Sequence, residues 1–268
     1  MSRKILLVDI GNTRAKWCVT NLAEDEHFDF LYGALPHTDS PFSQHGSHQL
    51  QALIQARESI SHIILCSVAN TSIESIWHQW FAQYLPNSAI SIFDSSMLFS
   101  NLRNLYQAPS DLGNDRWAAI IGGYHFAQEG NYLIVNSGTA TTIDYVSRDL
   151  KFNGGWILPG LNMMLQSLGS KTALLPNLSQ HAHYEKHDNI FGSSTESAIL
   201  QGVLHAQVGS IQFALNHYPE IHHLIISGGN GPLIQRNLNI NSNPTCSVLL
   251  DPHLIFRGLR LWYLETIG

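Results

Sequence analysis

One short pattern occurs twice along the chain: an apolar run, an Asp or Asn, one further residue, a Gly and a small polar tail. The first copy covers residues 6–13, and the second lies within residues 132–146. In both copies the apolar run predicts a strand, and the Gly with its polar neighbours predicts a turn into a returning strand. A repeated unit indicates an internal duplication. The 268 residues are therefore expected to form two similar α/β halves, residues 1–128 and 129–268.

Further elements follow from apolar spacing. Short apolar runs at residues 62–67 and 223–227 predict two buried strands, and the second leads straight into the glycine-rich residues 228–231. A strand that ends in such a turn is where open α/β sheets bind ligands. The aromatic residues between positions 73 and 84 have helical spacing, and we interpret them as one buried helix face.

A long amphipathic helix is predicted after residue 193. Ser193 and Glu196 have the spacing of a capping box, which marks a helix start. Apolar residues then recur in steps of three or four along one helix face, at Leu200, Leu204, Val208, Ile211 and Leu215.

Composition excludes several classes of function. The chain has 14 Lys and Arg against 20 Asp and Glu, a net charge of −6, and no basic cluster, so nucleic acid is not expected as a partner. No continuous apolar run approaches the roughly 18 residues that cross a bilayer, and the N-terminal apolar stretch is too short for a signal peptide. The three cysteines, Cys18, Cys66 and Cys246, form no CxxC pair. We expect reduced, buried thiols and a cytoplasmic protein without a membrane partner.

The first turn has the residue types of a phosphate cradle. Neither GxGxxG nor GxxxxGK[ST] occurs in the chain. Gly11 allows a phosphate to approach the backbone, Thr13 and the turn amides offer donors, and Asp9 at the strand end suits Mg²⁺. Lys16 follows the turn and could meet the same phosphates. An unliganded hairpin explains this turn equally well on its own, but a second matching turn favours a grip on one polyphosphate from two sides.

These turns resemble the two phosphate motifs and the adenosine motif of the acetate and sugar kinase, Hsp70 and actin superfamily. The superfamily resemblance implies two ribonuclease H-like, actin-like ATPase domains with a nucleotide cleft between them. Further blocks resemble the type III pantothenate kinases more specifically, and together they run from residue 5 to about residue 260. They lie at residues 106–117, 154–160, 192–202 and 251–259.

The resemblance implies ATP-dependent phosphorylation of the terminal hydroxyl of pantothenate, the first step toward coenzyme A, by a homodimer that uses Mg²⁺. By motif position, Asp115 corresponds to the carboxylate that accepts the proton of the attacking hydroxyl. The implied ATP and phosphate contacts are Asp9, Gly11, Asn12, Thr13, Lys16, Gly138, Thr139, Gly228 and Gly229, with Asp9 also holding Mg²⁺. The implied pantothenate contacts are Tyr106, Gly113, Asn114, Arg116 and Thr195.

One position departs from the family pattern. The family usually has an Asp where this chain has Asn136, and that Asp helps to bind a monovalent cation, K⁺ or ammonium. An amide oxygen can ligate a hard cation but brings no negative charge, so weaker cation binding is expected here. We therefore expect an enzyme that does not depend on a monovalent cation or that has reduced activity.

Two other functions stay open. The first is a non-catalytic nucleotide-binding regulator of the same fold, which Asn136 suggests and the retained Asp9, Asp115 and Arg116 oppose. The second is a kinase for another small hydroxylated substrate such as a sugar, although three scattered cysteines cannot build the zinc motif of the regulatory-type sugar kinases. The group His181, His183 and His187 has no Cys partner and no apolar shell, so we interpret it as a solvated loop rather than a metal site.

Overall fold

The computed structural model describes residues 4–21, 31–127, 130–171, 176, 178, 190–239 and 245–268. The chain divides into two compact units, residues 1–122 with 254–268 and residues 123–253. The interpretation of His181, His183 and His187 as a solvated loop lies outside the described residues.

The first unit consists of helices and a mixed β-sheet, in which some strand pairs are parallel and others antiparallel. Its strands are β1 (Lys4–Ile10), β2 (Arg14–Asn21), β3 (Leu31–Pro36), β4 (Ile60–Ser67), β5 (Ala89–Ile92) and the short β6 (Arg103–Asn104). Five of them pair in the order β3-β2-β1-β4-β5, with β1, β2 and β3 antiparallel and β4 and β5 parallel to β1. Its helices are α1 (Gln44–Gln49), α2 (Gln51–Ala56), α3 (Thr71–Tyr84) and α4 (Asn114–Tyr124), and 3-10 turns lie at Arg57–Ser59 and Pro109–Asp111.

The second unit repeats this arrangement. Its strands are β7 (Asn131–Ser137), β8 (Ala140–Ser147), β9 (Lys151–Pro159), β10 (Ile221–Ser227) and β11 (Ser247–Leu250), and they lie in the order β11-β10-β7-β8-β9. Again three strands are antiparallel neighbours and the other two run parallel to the first. Its helices are α5 (Leu161–Lys171), α6 (Thr195–His217) and α7 (Gly231–Asn237). The predicted duplication of an α/β unit is confirmed by the matching strand orders.

The last helix, α8 (Leu254–Thr266), packs with the first unit although it follows the second in sequence. It contacts β1 and β4, and it crosses α4 closely: a Cβ at Gly258 would lie 1.8 Å from the Ala118 carbonyl oxygen. Only glycine permits that approach. The predicted boundary at residues 128 and 129 placed this helix in the second half, because a linear division cannot show a chain that returns.

Successive side chains of β1 point to opposite faces of the first sheet. Leu6, Val8 and Ile10 point into a core with α2 and α3. In α3, Trp77, Trp80 and Phe81 are buried in this core, which confirms the predicted aromatic helix face. Asp9, between two of these apolar positions, belongs to the opposite face.

Helix α6 begins one residue later than the predicted capping box. Ser194 is the N-cap, and its side chain and that of Ser197 form the reciprocal hydrogen bonds, instead of Ser193 and Glu196. Both pairs have the three-residue spacing of a capping box, and the reciprocal hydrogen bonds form in the pair of Ser194 and Ser197. The predicted apolar face is confirmed, since Leu200, Leu204, Val208, Ile211 and Leu215 are all buried.

In the described part of the chain, α6 is also the one helix long and apolar enough to cross a membrane by length and composition. It has 23 residues. Its most apolar stretch of 18 residues has a mean hydropathy of 1.2, and half of that stretch is buried inside the protein. Its buried Gln207 donates a hydrogen bond to the Pro159 carbonyl at 2.7 Å. We interpret α6 as the core helix of the second unit because its apolar face packs on that unit's sheet.

Candidate active site

The first turn, between β1 and β2, is held from both ends. The Gly11 N–H donates to the Arg14 carbonyl at 3.1 Å, which closes the turn. The His37 N–H donates to the Thr13 carbonyl at 3.0 Å, and His37 Nε2 lies 2.7 Å from the Gly11 carbonyl oxygen. Since a carbonyl only accepts, Nε2 carries the proton. Asn12 and Thr13 are exposed, so the tip of the turn faces solvent.

Asp9 and Lys16 lie opposite each other on β1 and β2. The Lys16 Nζ is 3.5 Å from Asp9 Oδ2, and Asp9 is only 4% exposed. Burial raises the pKa of Asp9 to about 6, the Lys16 ammonium opposes this rise, and the carboxylate of Asp115 adds to it. Asp9 and Asp115, predicted from separate motifs, therefore interact electrostatically in the folded unit.

Asp115 stands in the first turn of α4. Its Oδ1 accepts a hydrogen bond from the Arg116 N–H at 2.8 Å, and the Gly113 carbonyl accepts from the Arg116 and Trp117 N–H groups at 3.0 and 3.1 Å. Burial raises the pKa of Asp115, while the Arg116 N–H and the charges of Arg116 and Lys16 lower it. A carboxylate with a raised pKa is a better proton acceptor at neutral pH than an ordinary Asp.

Arg116 and Tyr106 form a second pair in the first unit. Arg116 is 4% exposed, its Nη1 donates to the Tyr106 hydroxyl at 2.8 Å, and its guanidinium carbon lies 5.6 Å from the centre of the Tyr106 ring. A guanidinium fixed in this way suits a carboxylate ligand, because its fork of donors is already oriented.

Asn114 uses both ends of its amide within the protein. Its Oδ1 accepts from the Ser95 N–H at 2.9 Å, and its Nδ2 donates to the Ser67 carbonyl at 3.1 Å. The sequence reasoning placed Asn114 among the substrate contacts, and it did not anticipate either of these backbone partners.

The second unit brings its two predicted turns together. The turn between β7 and β8 is closed by the Gly138 N–H, which donates to the Ala140 carbonyl at 2.9 Å. The Asn230 N–H donates to the Ser137 carbonyl at 3.1 Å. Gly228 has a φ of +87°, and a Cβ there would lie 2.4 Å from the Ser137 carbonyl oxygen. Gly228 therefore gives the turn after β10 its close approach to the end of β7.

The start of β8 and the end of β9 support the second turn. The Gly160 N–H donates to the Thr139 carbonyl at 3.0 Å, and Ser137 and Thr141 hydroxyls lie 3.2 Å apart. Asn136 is half-buried, and its Oδ1 would lie 2.8 Å from a Cβ at Gly228. Thr139 and Gly228 thus lie in adjoining turns.

Thr195 is the first residue of α6 and is exposed. The described contacts do not join it to the turns at Gly138 or Gly228. Sequence reasoning missed His37, whose only signal was its place directly after Pro36. Among the described residues, no group of three or more His, Cys, Asp or Glu is arranged to hold a metal ion by itself.

Known proteins match the chain over most of its length. A family model described as type III pantothenate kinase matches residues 5–217. A type III pantothenate kinase from Herminiimonas arsenicoxydans is 32% identical over 241 residues, covering 88% of this chain and 90% of its own. One from Idiomarina loihiensis is 31% identical over 269 residues, covering 96% of this chain and 97% of its own.

Solved structures support the fold. A structure described as a Baf family transcriptional activator from Campylobacter jejuni has a TM-score of 0.56 and 21% identity, and covers 97% of this chain and 98% of its own. The activator of 2-hydroxyisocaproyl-CoA dehydratase from Clostridium difficile, with bound ADPNP, has a TM-score of 0.52 and 11% identity, and covers 98% and 94%. These neighbours have the actin-like ATPase and sugar kinase fold, which confirms the predicted fold class. From the family model and the relatives above 30% identity, the chain belongs to the type III pantothenate kinase family.

Proposed function

We propose that the chain transfers the γ-phosphoryl group of ATP to the terminal hydroxyl of pantothenate, which yields 4′-phosphopantothenate for coenzyme A synthesis. Membership of the type III pantothenate kinase family supports the reaction. The observation that carries the assignment of residues is the pairing of Lys16 with the buried Asp9 at 3.5 Å, together with the electrostatic influence of Asp115 on Asp9 and of Lys16 on Asp115. A base, a metal-binding carboxylate and a cation in one place are what phosphoryl transfer requires.

Asp115 is the proposed base. Its carboxylate accepts the proton of the pantothenate hydroxyl while the hydroxyl oxygen forms a bond to the γ-phosphorus. The bond between that phosphorus and the β–γ bridging oxygen breaks, and ADP leaves with the electron pair. The raised pKa of Asp115 suits this proton transfer, and the protein otherwise acts by orientation and charge.

The first turn is the proposed phosphate site. Gly11, Asn12 and Thr13 would offer backbone donors and a hydroxyl at an exposed tip. Lys16, one-third exposed while paired with Asp9, has the reach to share its charge with a phosphate. Mg²⁺ fits the oxygen chemistry of Asp9, because the nearby Asp115 carboxylate makes it unfavourable for both acids to stay ionised without a cation. When bound, that ion would neutralise charge on the phosphates.

The pantothenate site is proposed at Tyr106, Gly113 and Arg116 in the first unit, with Asn114 beside it and both polar ends of the Asn114 amide engaged by backbone groups. The guanidinium of Arg116 would bind the pantothenate carboxylate, with Tyr106 holding it in place through its hydroxyl and ring. The role of Thr195, an exposed residue at the start of α6 in the second unit, stays a prediction from the motif.

In the second unit, Gly138, Thr139, Gly228 and Gly229 are the proposed nucleotide contacts. Their turns are adjacent and rich in backbone donors. Asn136 supplies a neutral oxygen where a monovalent cation would need charge, so we propose weak or absent dependence on K⁺ or ammonium. A cytoplasmic homodimer completes the proposal by analogy with the family.

The test is a coupled assay for ADP, with 4′-phosphopantothenate identified by mass spectrometry. Purified protein should form this product only with ATP, pantothenate and Mg²⁺, and hexoses or N-acetylated sugars should not replace pantothenate. Nucleotide binding without turnover, with or without K⁺ and ammonium, would favour the regulator instead. Turnover of a sugar at a higher kcat/KM than pantothenate would favour the other kinase.

A further inference from the structure

The amide side chain of Asn114 joins two backbone segments that are distant in sequence. It accepts a hydrogen bond from the Ser95 N–H and donates one to the Ser67 carbonyl, at 2.9 and 3.1 Å. Asn114 is the first residue of α4, and Asp115 follows directly. The start of α4 is therefore tied both to the end of β4 and to the segment after β5.

The same segment leads to Tyr106. Ser95 is 1% exposed, and its hydroxyl donates to the Pro109 carbonyl at 3.1 Å. The Asn104 Nδ2 donates to that carbonyl at 3.1 Å, and the Asn104 Oδ1 accepts from the Tyr106 N–H at 3.1 Å. The Tyr106 hydroxyl then accepts from Arg116, the third residue of α4, which closes the network.

The chemistry of the Asn114 site requires an amide. The Ser95 N–H needs an acceptor and the Ser67 carbonyl needs a donor, and a primary amide presents both at once. Asp at position 114 would keep the acceptor and lose the donor, whereas Ala would leave both backbone groups without this partner.

We propose that Asn114 is a positioning residue of the phosphoryl transfer, through which Asp115 and the segment that carries Tyr106 keep a fixed geometry. For the reaction itself, this inference rests on the proposed function. Asn114 acts through its neighbours, since both of its polar ends are engaged by backbone groups.

Replacement of Asn114 by Ala should lower kcat at least 10-fold, because a displacement of about 1 Å at a reacting group can reduce the rate about 100-fold. KM for pantothenate should rise through Tyr106. KM for ATP should stay within about twofold, because the first turn and Lys16 are outside this hydrogen-bond network.

Asn131 provides the matched control. It also bridges two backbone segments, since its Nδ2 donates to the Glu220 carbonyl at 3.2 Å and its Oδ1 accepts from the Arg148 N–H at 2.7 Å. It is 7% exposed and starts β7, at the opposite end of that strand from Asn136. Asn131→Ala should lower the melting temperature at least as much as Asn114→Ala but leave kcat unchanged.

Amide hydrogen exchange tests the link without any substrate. In Asn114→Ala the Ser95 amide should exchange faster than in the wild type, and in Asn131→Ala it should not change. If Asn114→Ala does not fold, Asn114→Asp replaces it, with Ser95 protected and kcat still lowered. The inference is overturned if kcat of the Asn114 variant stays within twofold of the wild type, if Asn131→Ala loses as much turnover, or if Ser95 exchange is unaltered in Asn114→Ala. An inactive wild type would reject the proposed function alone, and Ser95 exchange would still decide the positioning link.

Discussion

Asn136 stands in the second unit where Asp9 stands in the first, since each is the last residue but one of the strand that leads into its turn. Their cross-strand partners correspond as well: Lys16 lies opposite Asp9, and Thr142 lies opposite Asn136. One repeat thus carries a charged pair at this place and the other a neutral pair. Among the described residues, the buried Thr142 hydroxyl has no hydrogen-bond partner.

A carboxylate at position 136 should create a response to K⁺. We expect the wild-type rate to change less than twofold between K⁺-free and K⁺ buffers of equal ionic strength. Asn136→Asp should gain a several-fold, saturable activation, because a partly buried negative charge attracts a cation more strongly than an amide does. Asn131→Asp, at the other end of β7, is the control and should show no activation. A wild type that already depends strongly on K⁺ would mean that the amide oxygen suffices.

Removal of the proposed base should abolish most turnover. Asp115→Asn keeps the shape of the side chain and an acceptor for the Arg116 N–H but cannot take up a proton. We expect kcat to fall by about 10²- to 10⁴-fold, with the ATP dissociation constant from calorimetry within a few-fold of the wild type. The exposed Asp111, four residues earlier, serves as control, and Asp111→Asn should be fully active. Equal activity of both variants would assign the base elsewhere.

The sequence could predict what is local or repeated. Sequence patterns predicted three features: the strand–turn–strand units, the buried face of α6 and the aromatic face of α3. They could do so because hydrophobic spacing and glycine placement are local properties. The return of α8 to the first unit could not be predicted from the sequence, since it depends on the contact of Gly258 with Ala118 across more than half of the chain. The same holds for Asn114 and His37, whose backbone partners are set by tertiary structure.

The two neighbouring glycines after β10 should differ in their tolerance of a methyl group. At Gly228 the positive φ and the nearby Ser137 carbonyl predict that Ala destabilises the protein by about 1–3 kcal/mol and weakens ATP binding. At Gly229 a Cβ would meet no protein atom within 4 Å, so Gly229→Ala should keep the wild-type stability. Urea denaturation and ATP titration measure both effects. Equal stability of the two variants would contradict the turn geometry.

Loss of the His37 ring should loosen the first turn. His37→Ala removes the hydrogen bond to the Gly11 carbonyl, and one such bond contributes about 1 kcal/mol, which corresponds to about a fivefold rise in KM for ATP. KM for pantothenate should not change. His37→Asn, which retains an N–H donor, should recover part of the loss, and the exposed His48→Ala serves as control. A rise in KM for pantothenate alone would contradict this role.

Neutralising Asp9 should stabilise the metal-free protein at neutral pH while it impairs Mg·ATP binding. Because burial raises the pKa of Asp9 from 3.8 to about 6, the folded protein holds a proton between these pH values that the unfolded chain has released. The contribution of Asp9 to the free energy of unfolding therefore falls as the pH rises from about 4 to about 6, and it stays lower above that range. Asp9→Asn removes this loss, which amounts to at most about 3 kcal/mol, and the stranded Lys16 ammonium reduces the gain.

Urea denaturation at pH 4 and pH 8 measures this difference. Asp9→Asn should gain on the wild type between the two pH values. Asp149 is the control of opposite sign, because hydrogen bonds from Lys151 and Ser147 lower its pKa to about 2. Its contribution to stability is present above pH 4 and is lost as the pH falls through about 2, so Asp149→Asn should lose stability relative to the wild type at pH 8. If Asp9→Asn did not gain on the wild type between pH 4 and pH 8, the pairing with Lys16 would outweigh the burial of the Asp9 charge, and the raised pKa would be wrong.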